Sequence, residues 1–262
     1  MDKFSNPYSP GAGCPPAAFV GRDDELAAWS LGLRRCEAGR PARPLVLYGL
    51  RGVGKTVLLN RMSRNAENRN WITAKIEAGA GKDLRQSVGE ALYAPLAALA
   101  HPSPGARLAR ALRTALSFKA SYDSTGTWSF GLDLHDTPGG GADSGILELD
   151  LTTLVKDLTG APTTPGLAIL VDEAQDLTGD ELTALCAVAH ETSQQGWPFL
   201  LALAGLPSLP HDLAEAKSYA ERLFDYHHIT VLPDPQARAA LTNPADAADV
   251  HWDPDALHLV LD

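Results

Sequence analysis

The sequence predicts an α/β fold in which a parallel β-sheet is covered by helices on both faces. Two observations support this prediction. Short apolar runs, typical of strands buried on both sides, alternate with longer segments of helical periodicity. A glycine-rich turn, residues 49–56, also joins the first of these runs to a helix. With 262 residues and 45% hydrophobic side chains, the chain is long enough for one large domain of this class.

The first part of the chain is predicted to hold an arm, two helices and the first strand. Residues 1–18 are rich in proline, glycine and alanine and are predicted to form an extended N-terminal arm. Residues 19–39 have apolar side chains at helical spacing, with Asp23 as a candidate N-cap and a closing glycine. The continuous apolar run 45–48 is predicted to be strand one, and residues 55–65 the helix that follows it.

The middle of the chain departs from simple strand–helix alternation. Residues 71–77 are rich in β-forming side chains and are predicted to be strand two. Additional helices and a hairpin are then expected over 82–160, because the period-2 alternation within 121–141 is typical of a hairpin. The aromatic residues of this region are either a partner surface or the insertion's own small core: Tyr122, Trp128 and Phe130.

The last hundred residues are predicted to complete the sheet. Three further strands are expected at 167–171, 199–204 and 228–232. Helices are expected between them, at 180–196 and 214–226. Residues 19–233 would thus form the main domain, and 234–262 are expected to begin a helical lid that is cut short.

Composition excludes several classes of function. The apolar runs are too short for a membrane-spanning helix, and the N-terminus lacks a signal-peptide pattern, so we expect a cytoplasmic protein without membrane contact. The formal charge of −10 gives no broad basic surface for nucleic acid. The three cysteines are scattered, which predicts reduced thiols rather than a metal site.

The turn after strand one matches the phosphate-binding pattern G-x-x-x-x-G-K-[ST] in full. Its glycines leave backbone N–H groups free to converge on phosphate oxygens, and the following helix directs its positive end toward the same anion. Lys55 is predicted to reach the β- and γ-phosphates, and Thr56 to offer its hydroxyl to Mg²⁺. The predicted nucleotide-binding residues of this segment are Gly49, Leu50, Arg51, Gly52, Val53, Gly54, Lys55, Thr56 and Val57.

A pair of acids follows the third apolar strand. Asp172 is predicted to supply the carboxylate on the Mg²⁺ side of the site, by way of a bound water. Glu173 is predicted to be the general base that polarises the attacking water. Gln175 completes the letters DEAQ, which also occur in helicase boxes, but no other helicase motif accompanies them.

Together with these two motifs, the segment FVGRDDEL at 19–26 resembles the opening box of AAA+ ATPases of the initiator-like and STAND-type branch. The resemblance covers about residues 5–245. It implies a three-layer αβα P-loop sandwich with strand order 5-1-4-3-2, ATP and Mg²⁺ as cofactors, and a base pocket lined by Phe19, Val20 and Gly21. A plain capped helix start remains the alternative explanation of the box.

The chain matches one further feature of the family and lacks two others. The family's fourth strand often ends on a polar sensor, whereas here Ala204-Gly205-Leu206 follow and Ser208 is a poor substitute. Arg222 resembles the family's arginine finger, which would face the γ-phosphate of a partner subunit; a salt bridge to Glu221 or Asp225 is the alternative. The second sensor arginine of the lid has no matching motif.

Three hypotheses of function follow from these patterns. The chain is an ATPase that drives a conformational switch or the remodelling of a partner, with Glu173, Lys55 and Arg222 as catalytic residues. Alternatively, it is a non-hydrolysing module in which ATP binding gates an interaction. A DNA-handling ATPase would need DNA-binding parts beyond residue 262. The expected partners are ATP or ADP and a protein, or a second copy bound through the ATPase face.

Overall fold

A computed structural model of the chain describes residues 6–8, 16–79, 81, 83–99, 106–120, 144–159 and 165–261. Five parallel strands form one sheet in the order β2-β3-β4-β1-β5, which confirms the predicted order 5-1-4-3-2. The strands are β1 Leu45–Tyr48, β2 Ile72–Glu77, β3 Leu167–Asp172, β4 Phe199–Gly205 and β5 Asp225–His228.

Helices cover both faces of this sheet. They are α1 Asp23–Glu37, α2 Lys55–Glu67, α3 Leu84–Leu99, α4 Ala106–Ala120, α5 Leu147–Leu158, α6 Gly179–Gln195, α7 Leu209–Ala216, α8 Ala220–Leu223, α9 Asp234–Ala247 and α10 Pro254–Leu261. A 3₁₀ turn, Ala174–Asp176, follows β3. None of the helices in the described ranges is long and apolar enough to cross a membrane.

The two faces of the sheet bury separate apolar cores, because successive side chains of a strand point to opposite sides. In β1, Val46 joins the core beneath α3 to α8, whereas Leu45 and Leu47 join the core beneath α1 and α2. The second core includes the fully buried Trp29, whose indole Nε1 donates to the carbonyl of Met62 at 2.9 Å. Helix α2 is therefore packed against the sheet on one side and against α1 on the other, which also fixes the turn between β1 and α2.

Strand five begins three residues earlier than the apolar pattern predicts. The run at 228–232 lies mostly after the strand, since Leu45 pairs with Asp225 and Tyr48 with His228. As an edge strand, β5 needs no continuous apolar sequence, and its side chains are only partly buried. The prediction of one helix over 214–226 is wrong for the same reason: α7 ends at Ala216 and the short α8 precedes the strand.

Other local predictions have mixed outcomes. Helix α1 begins at Asp23 with Arg22 as its N-cap, so Asp23 itself is the first helical residue and not the cap. Helices α3, α4 and α5 do lie between β2 and β3, and their apolar faces extend the first core. The predicted hairpin over 121–141 and its aromatic residues lie outside the described residues.

A short piece of the arm contacts the helices that follow the sheet. The Tyr8 hydroxyl donates to the carbonyl of Leu241 in α9, and the Trp252 indole donates to the Tyr8 hydroxyl at 2.7 Å. The two rings meet edge to face, with centroids 6.2 Å apart. This contact, called the Tyr8–Trp252 lock below, joins residues 6–8 to the α9–α10 pair.

Candidate functional site

The turn between β1 and α2 has the backbone geometry that its glycines predict. Gly52 and Gly54 adopt positive φ angles of 81° and 91°, which side chains other than glycine rarely adopt. Gly49 is needed for space: a Cβ there would lie 2.1 Å from the carbonyl oxygen of Ile229. The turn is thus pressed against the chain that leaves β5, and its remaining N–H groups are left at the carboxyl edge of the sheet.

Lys55 is the first residue of α2 and is only 7% exposed. Its Nζ donates to the carbonyls of Gly49, at 2.9 Å, and Leu50, at 2.8 Å, so the ammonium folds back inside the turn. Burial lowers the pKa of Lys55 below its ordinary value, while the carboxylates of Glu173 and Asp172 act to raise it. The lysine therefore lies within the electrostatic reach of both acids.

The acid pair lies at the carboxyl end of β3. Asp172 is 5% exposed and its Oδ1 accepts from the backbone N–H of Glu173 at 3.1 Å. Glu173 has φ 50° and ψ 39°, a left-handed conformation that is uncommon for a residue other than glycine. The chain therefore turns away from the strand direction directly after Asp172.

Gln175, two residues further on, holds the Glu173 side chain. Its Nε2 donates to Glu173 Oε2 at 2.7 Å, and its Oε1 accepts from the backbone N–H of Leu206 at 3.0 Å. No polar side chain occupies the end of β4 at Gly205, and Ser208 instead stands at the start of α7 without a side-chain cap bond.

Arg22 connects three parts of the site. Its Nη2 donates to the carbonyl of Val53 in the glycine turn at 3.1 Å and to that of Thr230 after β5 at 2.6 Å. The guanidinium fixes the start of α1 against the turn. The box that contains Arg22 is therefore more than a plain helix start.

A cavity of about 430 Å³ opens beside the glycine turn. Phe19, Val20 and Val57 line it, as do Val231 and Ala237 from the far side. The first two of these are the predicted base-pocket residues, and the cavity is mainly apolar, as a base would require.

Gly21, the third predicted base-pocket residue, is not among the residues that line the cavity. A Cβ at this position would lie 2.9 Å from Leu232 and from Gln236, so the glycine allows the box to pack against the start of α9.

Arg222 lies at the other end of the sheet. It is exposed on α8, just before β5, and lines a cavity of about 450 Å³ with Arg35, Arg43 and His190. Because the strands are parallel, the residues that precede them lie at the amino edge, away from the glycine turn. Among the described residues no ion pair joins Arg222 to Glu221 or Asp225; Asp225 instead faces His227 at 3.4 Å.

The predicted ligands of Mg²⁺ lie on adjacent elements. Thr56 stands beside Lys55 at the start of α2, and Asp172 ends β3. Within the described part of the chain, no cluster of three His, Cys, Asp or Glu side chains forms a ready-made metal site. One hydroxyl and one buried carboxylate suit Mg²⁺, because it usually keeps several waters and takes its remaining ligands from substrate phosphates.

Sequence reasoning missed two contributors to this site. Arg22 was visible within FVGRDDEL and Gln175 within DEAQ, but no local pattern indicates that their partners lie 208 and 31 residues away. The residues after β5 that line the cavity were likewise assigned to a strand and a lid without a role.

Taken together, the parallel sheet of this order and the glycine turn between β1 and α2 define a P-loop nucleoside triphosphatase fold. The sequence profile described as "AAA ATPase domain" matches residues 18–202, which is more than half of the chain. The chain belongs to the AAA ATPase domain family. A comparison with curated protein sequences gave no significant match.

One solved structure supports this fold, and two others are more distant. Cdc6p from Pyrobaculum aerophilum superposes with a TM-score of 0.57 at 16% identity, over 100% of this chain and 58% of that one. AMPPCP-bound DnaA from Aquifex aeolicus gives 0.49 at 13% identity, over 94% and 58%. Orc1 from Aeropyrum pernix in complex with DNA gives 0.45 at 18% identity, over 96% and 56%. The chain thus spans just over half the length of these proteins, and it shares the fold of Cdc6p.

Proposed function

We propose that this chain binds ATP at the glycine turn and hydrolyses it to change its own conformation or that of a partner. The observation that supports this most directly is the buried Lys55, whose Nζ is held by carbonyls of the turn within reach of two acids. A buried cation in a loop whose N–H groups converge suits the charge of a polyphosphate. The apolar cavity beside the turn suits the adenine ring of the nucleotide.

The residues have distinct roles in this proposal. Lys55 replaces its bonds to loop carbonyls by bonds to the β- and γ-phosphates. Thr56 and Asp172 would hold Mg²⁺, which supplies neutralisation of phosphate charge when bound. Glu173 accepts a proton from the attacking water as the bond between the γ-phosphorus and the β–γ bridging oxygen breaks, which leaves ADP and phosphate.

Arg222 is proposed to act between copies of the chain. The β1 strand alone separates the two edges of the sheet by about 13 Å, at about 3.3 Å for each of its four residues, so Arg222 is too far to reach its own γ-phosphate. Its exposed position beside Arg35 and Arg43 suits the phosphates of a neighbouring copy. Self-association through this face would then complete the site, and Arg222→Ala should lower turnover only at concentrations where the protein assembles.

Two substitutions test the site itself. Lys55→Ala should abolish binding of a fluorescent ATP analogue, whereas Lys75→Ala, which removes an exposed lysine of β2, should not change it. Glu173→Gln should keep the affinity and lower kcat by about 100-fold or more, because general-base catalysis contributes about 10²–10⁴. Unchanged affinity in Lys55→Ala would refute the binding site.

A second function is supported by the end of β4. The absence of a polar side chain at Gly205 suits a module in which ATP binding alone orders the α9–α10 pair, without hydrolysis. If the wild type binds ATP but releases no phosphate, even at concentrations where it self-associates, this second function replaces the first.

A further inference from the structure

We infer that Gln175 is a positioning residue for hydrolysis, which fixes the carboxylate of Glu173 by linking it to the end of β4. This inference rests on the proposed role of Glu173 as the base. It concerns the 3₁₀ turn after β3, where Gln175 is the only side chain in the described residues that bonds Glu173 Oε2.

The two bonds of Gln175 determine the orientation of its amide. The backbone N–H of Leu206 is purely a donor, so the group that faces it, at 3.0 Å, must be the amide oxygen. The NH₂ group is then directed at the carboxylate, at 2.7 Å. The reverse orientation would set a donor against a donor and an oxygen against a carboxylate, so the network itself excludes a flipped amide.

The surrounding backbone is shaped to admit this side chain. A Cβ at Gly205 would lie 2.9 Å from Gln175 Oε1 and 2.9 Å from Leu209 Cδ2, so a larger residue at the end of β4 would displace the amide. On the other side, Glu173 adopts a left-handed backbone conformation, which is strained in a residue with a side chain. The Glu173 backbone is held in this conformation by hydrogen bonds of its N–H to Asp172 Oδ1, at 3.1 Å, and of its carbonyl to the Asp176 N–H, at 2.9 Å, while Gln175 holds the side chain.

The geometry also leaves one carboxylate oxygen for chemistry. Gln175 engages Oε2, and among the described residues none donates to Oε1 of Glu173. A hydrogen bond to one oxygen restricts rotation of the carboxylate and so limits the directions that its other oxygen can take. Because misplacement of a reacting group by about 1 Å can cost about 10²-fold in rate, such a hold affects turnover without touching ATP.

The link explains how β4 can end without a polar side chain. The backbone N–H of Leu206, directly after β4, is linked to Glu173 through the Gln175 amide. A movement of β4 relative to β3 would therefore displace the Glu173 carboxylate. Gln175 is therefore a connection between neighbouring strands of the sheet as well as a support for Glu173.

A double-mutant cycle on kcat tests this inference. Gln175→Ala should lower kcat by about 10- to 100-fold with unchanged affinity for ATP, and should lower it no further in the Glu173→Gln background. Gln175→Glu keeps an acceptor for the Leu206 N–H but places a second carboxylate beside that of Glu173. It should lower kcat at least as much as Gln175→Ala does. The matched control is Gln195→Ala, which removes an equivalent bond from Gln195 Nε2 to Glu191 at 3.0 Å on the surface of α6 and should leave kcat unchanged.

The outcomes separate this inference from the proposed function. If Glu173→Gln turns over like the wild type, the base assignment fails. If Glu173→Gln stops turnover but Gln175→Ala keeps wild-type kcat, or lowers kcat equally in both backgrounds, only the Gln175 inference is overturned. If neither the wild type nor any variant hydrolyses ATP, NMR of the side-chain amides tests the contact instead. The cross-peak that disappears in Gln175→Ala belongs to Gln175 and should shift in Glu173→Ala; an unchanged position of this peak would overturn the inference.

Discussion

Replacement of Gly49 by alanine should damage the chain far more than the small size of a methyl group implies. The added Cβ would lie 2.1 Å from the Ile229 carbonyl oxygen, whereas contacts under 3.0 Å are essentially never seen, so the two backbones must separate by about 0.9 Å. Neither can move freely, since the Gly49 N–H donates to Gly205 at 3.2 Å and the Ile229 N–H to Tyr48 at 2.8 Å. Overpacking costs about 1–3 kcal/mol and a lost backbone hydrogen bond about 1, so Gly49→Ala should destabilise by about 2–4 kcal/mol.

The assay is urea unfolding of the purified protein, together with thermal melting. A loss of that size corresponds to a fall in Tm of about 4–16 °C for a chain of this length. Gly179→Ala is the matched control, because Gly179 begins α6 and has no atom within 4 Å of an added Cβ. That change should be neutral or stabilise by up to about 1 kcal/mol. Equal effects at the two glycines would refute the packing argument.

Three other substitutions or treatments test separate features. Arg22→Ala removes both bonds from the guanidinium to the glycine turn and the chain after β5, and should weaken ATP affinity about tenfold, measured by fluorescence titration; unchanged affinity would show that the turn holds its own shape. Burial raises the pKa of Cys36 and Cys186 from 9.0 to about 11, so near pH 8 their thiolate fraction falls about 100-fold and alkylation, followed by mass spectrometry, should require unfolding. The hydrogen bond with Arg69 is the main cause that lowers the pKa of Glu37 below its ordinary value of 4.5. The stabilisation that Glu37 gives is therefore present above the ordinary pKa and lost as the pH falls through the lowered one. Glu37→Gln should therefore cost about 0.5–1 kcal/mol at neutral pH and nothing in acid, by urea unfolding at both.

Much of the fold could be predicted because its signals are local. The apolar runs of β1, β3 and β4 are buried on both faces, so each contains its own evidence, and the glycine turn is determined by eight consecutive residues. Strand β5 could not be predicted in the same way. Its residues Asp225–His228 are polar, and only pairing with β1 makes them a strand.

The candidate site divides along the same line. Local motifs predict Lys55, Asp172 and Glu173, because the position of each residue relative to its strand determines where it lies in the fold. The contacts of Arg22 and Gln175 join residues distant in sequence, through side chains whose partners are backbone groups that have no sequence signature. Such contacts arise from the tertiary arrangement, so reading the sequence could name the residues but not their partners.

The Tyr8–Trp252 lock has a consequence for the order of folding. It joins residues 244 positions apart, so the entropy lost in closing a very long loop must be offset by other native contacts before the two rings meet. Contacts of this kind form after the folding nucleus, and their loss speeds unfolding while leaving the folding rate little changed. Residues 6–8 should accordingly be the last of the described residues to join the native structure and the first to leave it.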